Sequence, residues 1–168
     1  MTNVLTVLRR ELLSLFLSPL AWVLLTLFLL VQGYSFYLFM ELINQPYAPH
    51  GAVMRYFFGG TFLYWLFVIF VTAVITMRLL AEERRSGTIE TLLTAPVTEL
   101  QVVVGKYVAA LLFYAFLWVP TLIYVVIVAE LSGPAQVSWG SVLSGYLGTL
   151  ALGATCLAFG LLASALTK

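Results

Sequence analysis

Four long stretches of this chain carry no charged residue, and their length decides what the chain can fold into. They contain 21, 21, 23 and 25 residues, at 20–40, 57–77, 107–129 and 142–166. A helix rises about 1.5 Å per residue, so each stretch can cross a hydrocarbon core about 30 Å thick. Lipid cannot satisfy backbone polar groups, and this favours helices. The sequence therefore predicts four transmembrane helices.

The composition points to the same class of protein. Hydrophobic residues make up 62% of the 168 residues and charged residues 9%, whereas soluble domains average roughly 45–50% and about 25%. A soluble chain of this length could not bury so much apolar surface. We expect an all-α integral membrane protein that forms one transmembrane domain over residues 1–168.

Lysine and arginine are distributed unevenly between the two sides of the predicted spans. With the N-terminus inside, the cytoplasmic segments hold Arg9, Arg10, Arg78, Arg84, Arg85, Lys106 and Lys168, and the outer loops hold Arg55. This bias predicts a cytoplasmic N-terminus for a multi-pass protein. An aromatic belt is expected near the outer ends of the spans, formed by Tyr34, Tyr37, Tyr56, Tyr64, Trp65 and Trp139.

Residues 3–17 precede the first span and show a helical pattern. The apolar side is predicted to hold Val4, Leu5, Leu8, Leu12, Leu15 and Phe16, and the polar side mostly Asn3, Thr6, Arg9, Arg10, Glu11 and Ser14. Pro19 interrupts this pattern. We expect an amphipathic helix in the cytoplasmic interface, bent into the first span at Ser18-Pro19. The alternative is that it extends the first span.

Residues 78–106 hold eight of the fifteen charged residues. Burying them in lipid would cost on the order of 20 kcal/mol, so the segment should lie in water or against a polar partner. Gly87 and Pro96 bound a short helix predicted over 88–94, and Thr98 to Gln101 forms a capping box that opens the third span. Two interpretations remain open, a solvated loop or a docking element for a cytoplasmic protein.

Two features lie within the spans. Small residues recur four apart on the fourth span, at Ser141, Gly145, Thr149 and Gly153, and Cys156, Gly160 and Ser164 continue this face. Such faces let membrane helices approach closely, and further spans or a second copy of the chain could fill it. Pro120 should kink the third span because its ring frees the carbonyl of Phe116.

Several kinds of site have no support in the sequence. A phosphate-binding glycine loop, hydrolase motifs and paired catalytic residues are absent, so no catalytic residue, cofactor or enzyme activity is predicted. His50 alone cannot form a metal site. The net charge of +1 comes without a basic stripe, so no nucleic-acid partner is expected.

The run ITMRLLAEERRSGTIETLLTAPV over 75–97, followed by VGKY over 104–107, resembles the ABC-2 type permease family, the membrane subunits of ATP-driven exporters. The N-terminal residues Arg10 to Leu12 and Phe16 to Ala21, and on to Gly33, are similar to its gliding-motility-type subgroup. The resemblance covers nearly the whole chain. Family members usually have six spans, so we expect a C-terminally truncated protein.

The resemblance implies that 78–106 is a coupling segment that seats in a cytoplasmic ABC ATP-binding subunit. By match, the contact would be formed by Glu82, Glu83, Arg84, Gly87, Thr88, Glu90, Leu93 and Pro96. Gly105 and Lys106 would mark where the third span enters the membrane. The implied protein is the permease subunit of an export complex in the plasma membrane of a prokaryote, paired with a second permease subunit. The alternative is a membrane anchor that recruits the ATPase without transporting.

Overall fold

The structure is a computed structural model that describes residues 2–43, 58–86, 99–132 and 138–166. These residues form helices α1 (Thr2–Leu17), α2 (Pro19–Ile43), α3 (Phe62–Ser86), α4 (Glu99–Trp118), α5 (Leu122–Ser132) and α6 (Trp139–Leu166). A 3-10 turn over Val119–Thr121 joins α4 to α5. No strand occurs in the described ranges, so the predicted all-α class is confirmed.

Three of the helical segments are long and apolar enough to cross a membrane. They are Pro19–Glu41, Leu100–Glu130 and Trp139–Ala163, and Phe62–Arg78 within α3 is a shorter apolar stretch. Their outward surfaces carry large apolar side chains such as Trp22, Phe70 and Phe159. Such surfaces suit lipid, which solvates apolar groups without penalty.

The break between α1 and α2 falls at Ser18. The Ser18 side-chain oxygen accepts a hydrogen bond from the Leu20 amide at 3.2 Å, and its carbonyl accepts one from Ala21 at 3.1 Å. Pro19 occupies the first position of α2, where its missing amide hydrogen costs nothing. Ser18 therefore caps α2, and α1 is a separate helix rather than an extension of the first span.

Helix α3 begins at Phe62, five residues after the predicted start of the second span. Gly59 has a φ of 97°, a backbone conformation that residues with a side chain rarely adopt. Trp65 donates its indole N–H to the Gly59 carbonyl at 2.9 Å and holds this turn against the helix. The glycine therefore delays the helix, a boundary that the absence of charge could not reveal.

Pro120 changes the helix type within the third span. It lies in the 3-10 turn, where Thr121 donates its hydroxyl to the Trp118 carbonyl at 2.6 Å. The same hydroxyl lies 2.9 Å from that of Tyr146 on α6. The proline thus interrupts the α-helical ladder as its ring requires, and the turn is anchored to α6.

Contacts between the helices fix their relative directions. Phe28 and Phe36 of α2 meet Trp118 and Tyr124 in the same order, with ring centroids 5.1 and 4.6 Å apart, so α2 runs parallel to α4 and α5. Helices α3 and α6 also run parallel, as the contacts of Tyr64 with Thr149 and of Thr76 with Gly160 show. Tyr107 of α4 contacts Ala154, while Thr121 contacts Tyr146, so α6 is antiparallel to α4.

These directions bring the charged residues to opposite ends of the bundle. Arg9, Arg10, Arg78 and Lys106 lie at the end that holds the start of α4 and the end of α3, which we call the basic end. Glu41 and Glu130 lie at the other, acidic end. The described cations therefore share one side of the bundle, as the positive-inside pattern requires.

Tyrosine hydroxyls join α6 to its neighbours. Tyr64 shares a hydrogen bond of 2.6 Å with the Thr149 hydroxyl, and Tyr114 donates to the Thr149 carbonyl at 3.3 Å. Tyr107 donates to the Ala154 carbonyl at 3.1 Å. Hydrogen bonds of this kind favour helix association in lipid, where the burial of apolar surface contributes little free energy to association.

Three glycines on the small-residue face of α6 pack against other parts of the chain. A Cβ at Gly145 would overlap the ring of Phe58, one at Gly153 would overlap Tyr114, and one at Gly160 would lie 2.6 Å from the Thr76 methyl carbon. Side chains of the same chain, Phe58, Tyr114 and Thr76, therefore occupy the space beside these three glycines.

Gly153→Ala should destabilise the bundle because Tyr114 is fully buried and its ring cannot move aside freely. We expect the free energy of unfolding to fall by about 1–3 kcal/mol, the usual cost of overpacking. The measurement is thermal unfolding of the purified chain in lipid nanodiscs. Gly148→Ala is the matched control, since nothing lies within 4 Å of its Cβ position. Equal shifts for both variants would contradict this packing.

Candidate functional site

The predicted coupling residues are only partly within the described structure. Glu82, Glu83 and Arg84 lie on the last turns of α3, which continues to Ser86. Gly105 and Lys106 lie on α4, which begins at Glu99 as the capping box predicts. The remaining residues, Gly87, Thr88, Glu90, Leu93 and Pro96, lie outside the described residues. The described part of the site is therefore the pair of helices that flank 87–98.

An ion pair lies where α1 meets the first turns of α4. The Lys106 ammonium is 3.5 Å from the Glu11 carboxylate, and the two side chains are only 9% and 6% exposed. Arg10, which is largely exposed, approaches the same carboxylate at 3.2 Å. Because a buried charge is costly without a partner, the pair fixes the position of α1 on α4.

Gly105 lets the two helices approach closely beside this ion pair. A Cβ at this position would lie 2.9 Å from a methyl carbon of Val7 and 3.7 Å from the Leu8 amide nitrogen. Further along, the Phe16 ring packs edge-on against Phe113 and Phe116. Helix α1 therefore follows α4 from Gly105 to beyond Phe113, next to the first half of the third span.

Arg78 ties the same helix to α3. Its guanidinium donates to the Ser14 carbonyl at 2.8 Å and to the Leu15 carbonyl at 3.4 Å. These carbonyls belong to the last turn of α1, which carries the negative end of the helix dipole. An arginine is well suited to bind there, so Arg78 caps α1.

Helix α1 is thus bound to both helices that flank 87–98. Arg78 holds it to α3 and Lys106 holds it to α4. A displacement of the flanking helices relative to each other must strain one of these contacts or move α1. The arrangement can transmit a mechanical change from the basic end into the spans.

Glu11 is buried, although the helical pattern predicts it on the polar side of α1. Leu8, Glu11, Leu12 and Leu15 follow the i, i+3, i+4, i+7 spacing of a single helix face, and Glu11 is 5% exposed. Leu5, by contrast, was assigned to the apolar side and is 63% exposed. The spacing could have placed Glu11 on the buried face, where a lysine partner elsewhere in the chain becomes necessary.

The geometry defines a multi-pass helical membrane protein in which a buried ion pair holds α1 against α4 at the basic end. Residues 7–167 match the family model described as ABC-2 family transporter protein, and the chain belongs to this family. The resemblance to ABC-2 permeases is therefore confirmed. The comparisons with curated proteins and with solved structures found no match.

Family membership makes the chain a membrane component of an ABC transporter and implies association with an ATP-binding subunit. The described residues contain no group of three or more His, Cys, Asp or Glu side chains that could hold a metal ion. The described part of the site consists of charge pairs and helix contacts.

Lys106→Met should destabilise the protein because Glu11 would stay buried with only the exposed Arg10 beside it. We expect a loss of about 2 kcal/mol in the free energy of unfolding, less than for a carboxylate left with no partner. Adding Glu11→Gln should restore part of it. Thermal unfolding in nanodiscs measures each corner of this double-mutant cycle.

Arg9→Met is the control for this cycle, because Arg9 precedes the pair on the same helix and is exposed. Its unfolding temperature should stay close to that of the unchanged chain. Additive effects of Lys106→Met and Glu11→Gln would show that the two charges do not stabilise each other.

Proposed function

We propose that this chain is the permease subunit of an ATP-driven export complex, and that segment 78–106 couples ATP hydrolysis in a separate subunit to movement of the spans. The observation that carries the proposal is the attachment of α1 to both ends of this segment, through Arg78 and Lys106. A loop without a mechanical role needs no such connection.

The charges of the segment support a protein partner at this place. Glu82, Glu83 and Arg84 follow Arg78 on the part of α3 beyond its apolar stretch, which ends at Arg78. Charged side chains here would be costly in lipid but can pair with a cytoplasmic protein. The predicted contact residues on 87–96 continue this surface along the sequence.

The remaining parts of the proposal concern the assembly. A second permease subunit, as a homodimer or heterodimer, completes the membrane part of the complex. The complex lies in the plasma membrane of a prokaryote, with the basic end cytoplasmic. Membership of the gliding-motility-type subgroup stays a prediction from the N-terminal residues.

Charge reversal in the segment tests coupling. Glu82→Lys together with Glu90→Lys should weaken association with the co-expressed ATP-binding subunit at least about tenfold. Each change would place a lysine against the positively charged surface that is proposed to bind the glutamates, and like charges repel. Co-purification measures association, and stimulated ATP hydrolysis in reconstituted vesicles measures coupling.

Glu41→Lys provides the control for this test, since it reverses an exposed charge at the acidic end. It should leave association unchanged. Unchanged association and ATP hydrolysis in the Glu82→Lys, Glu90→Lys variant would refute the coupling assignment. Retained association without substrate movement in the unchanged complex would favour a membrane anchor.

The orientation is tested by cysteine labelling in a Cys156→Ala background. A membrane-impermeant maleimide should label Ser138→Cys in intact cells, because Ser138 is exposed at the acidic end. It should label Ser86→Cys, at the end of α3, only in inside-out vesicles. Labelling of Ser86→Cys in intact cells would show that the basic end faces the outside, opposite to the proposed topology.

A further inference from the structure

Two grooves follow one another along the seam between α3 and α6. The first, of about 430 Å³, lies toward the acidic end and reaches Trp65 and Leu152. The second, of about 510 Å³, lies toward the basic end and starts at Ile69 and Cys156. Trp65 and Ile69 on α3 are four residues apart, and so are Leu152 and Cys156 on α6. Four residues correspond to about one helical turn. The two grooves therefore lie in line along one seam, and we call them together the α3–α6 furrow.

On α6, the residues that line the furrow extend over a length close to the thickness of a hydrocarbon core. Along α6 it extends from Ser141 to Ala163, which at 1.5 Å per residue is about 33 Å. The hydrocarbon core of a membrane is about 30 Å thick. Each groove also has a volume within the range that holds small organic ligands, roughly 300–1,000 Å³.

The part toward the acidic end is lined by hydroxyl groups and aromatic rings. Ser141 and Ser144 are exposed, and the Trp65 ring is 45% exposed. The hydroxyl of Ser144 donates to the Ser141 carbonyl at 3.1 Å, which leaves its oxygen free to accept a hydrogen bond. Tryptophan and hydroxyl side chains at this level suit a polar headgroup that carries few or no charges.

The part toward the basic end is apolar. Thr72 and Thr76 line it, but both are buried and donate their hydroxyls to carbonyls of their own helix at about 3 Å. What faces the groove is the methyl and ring surface of residues such as Ile69 and Phe159. This surface suits an alkyl chain.

We propose that the α3–α6 furrow binds an uncharged amphiphile, with a hydroxyl-bearing headgroup beside Trp65 and Ser144 and its alkyl chain along Ile69 and Phe159. The change in lining from hydroxyl to apolar along one seam matches the two halves of such a molecule. No charged side chain lines either groove in the described structure, so an ionic headgroup would lack a counter-charge. A transmembrane helix would be expected to meet apolar surface along its whole length.

This site is separate from the Glu11–Lys106 ion pair, and binding there requires no ATP-binding subunit. The inference therefore goes beyond the proposed coupling function. It can hold when the coupling assignment fails, and it can fail when the coupling assignment holds.

Photo-crosslinking of the full chain in phosphatidylcholine nanodiscs tests the inference. The probe is an alkyl glucoside with a diazirine at the end of its chain. We expect saturable labelling of peptides within 69–77 and 156–163, the apolar walls of the furrow. Unmodified alkyl glucoside at twice its Kd should lower this labelling about threefold by mass action.

Two open glycines on α6 give a matched pair of variants. Gly148 lines the furrow and Gly140 does not, and no atom lies within 4 Å of a Cβ at either position. Leucine is also a better helix former than glycine, so both variants should fold. Gly148→Leu should lower labelling about tenfold at sub-saturating probe, whereas Gly140→Leu should leave it unchanged.

Several results would overturn the inference. Labelling spread evenly over all lipid-facing helices, or equal labelling of the two leucine variants, would show that the furrow is not a site. Equal labelling by an alkyl sulfate probe of the same chain length would refute the uncharged headgroup. An unlabelled furrow combined with a lower dimer fraction in Gly148→Leu would assign the furrow to a second copy of the chain.

Discussion

The buried pair of Glu11 and Lys106 constrains the rest of this bundle at its basic end. Neither charge can be left without a partner at that depth, so α1 must stay against the first turns of α4. Arg78 adds the second attachment by donating to the Ser14 carbonyl in the last turn of α1. The short helix α1 is thereby attached to both spans that flank 87–98.

Away from the basic end, the helices are held together by complementary shape and hydrogen bonds rather than by ion pairs. Tyr114 is fully buried on α4, and its ring occupies the space that Gly153 leaves open on α6. Its hydroxyl then reaches the Thr149 carbonyl, one turn earlier on the same helix. Because apolar burial gives little driving force between helices in lipid, a ring fitted over a glycine and a hydroxyl bonded to the backbone together set the register of these helices.

The sequence predicted where helices form, but it did not predict which helices pack against each other. The uncharged stretches overlap helices of which three are long and apolar enough to span a membrane, and Ser18-Pro19 marked the break before α2. Both signals are local. The start of α3 depended on the positive φ of Gly59, and the occupants of the α6 glycines depended on which helices pack together. The ion pair joins residues 95 positions apart, Glu11 and Lys106, so only the fold could reveal it.

Helix α3 links the two parts of the molecule in which function is proposed. One of its faces lines the furrow up to Thr76 and Met77, and the next residue, Arg78, binds α1. Thr76 and Gly160 face each other across the seam and line the furrow at this level. A rotation or shift of α3 imposed from the segment after Ser86 must therefore alter the α1 attachment and the width of the furrow together. Packed helices have few ways to absorb such a movement separately, because close-packed interiors transmit strain.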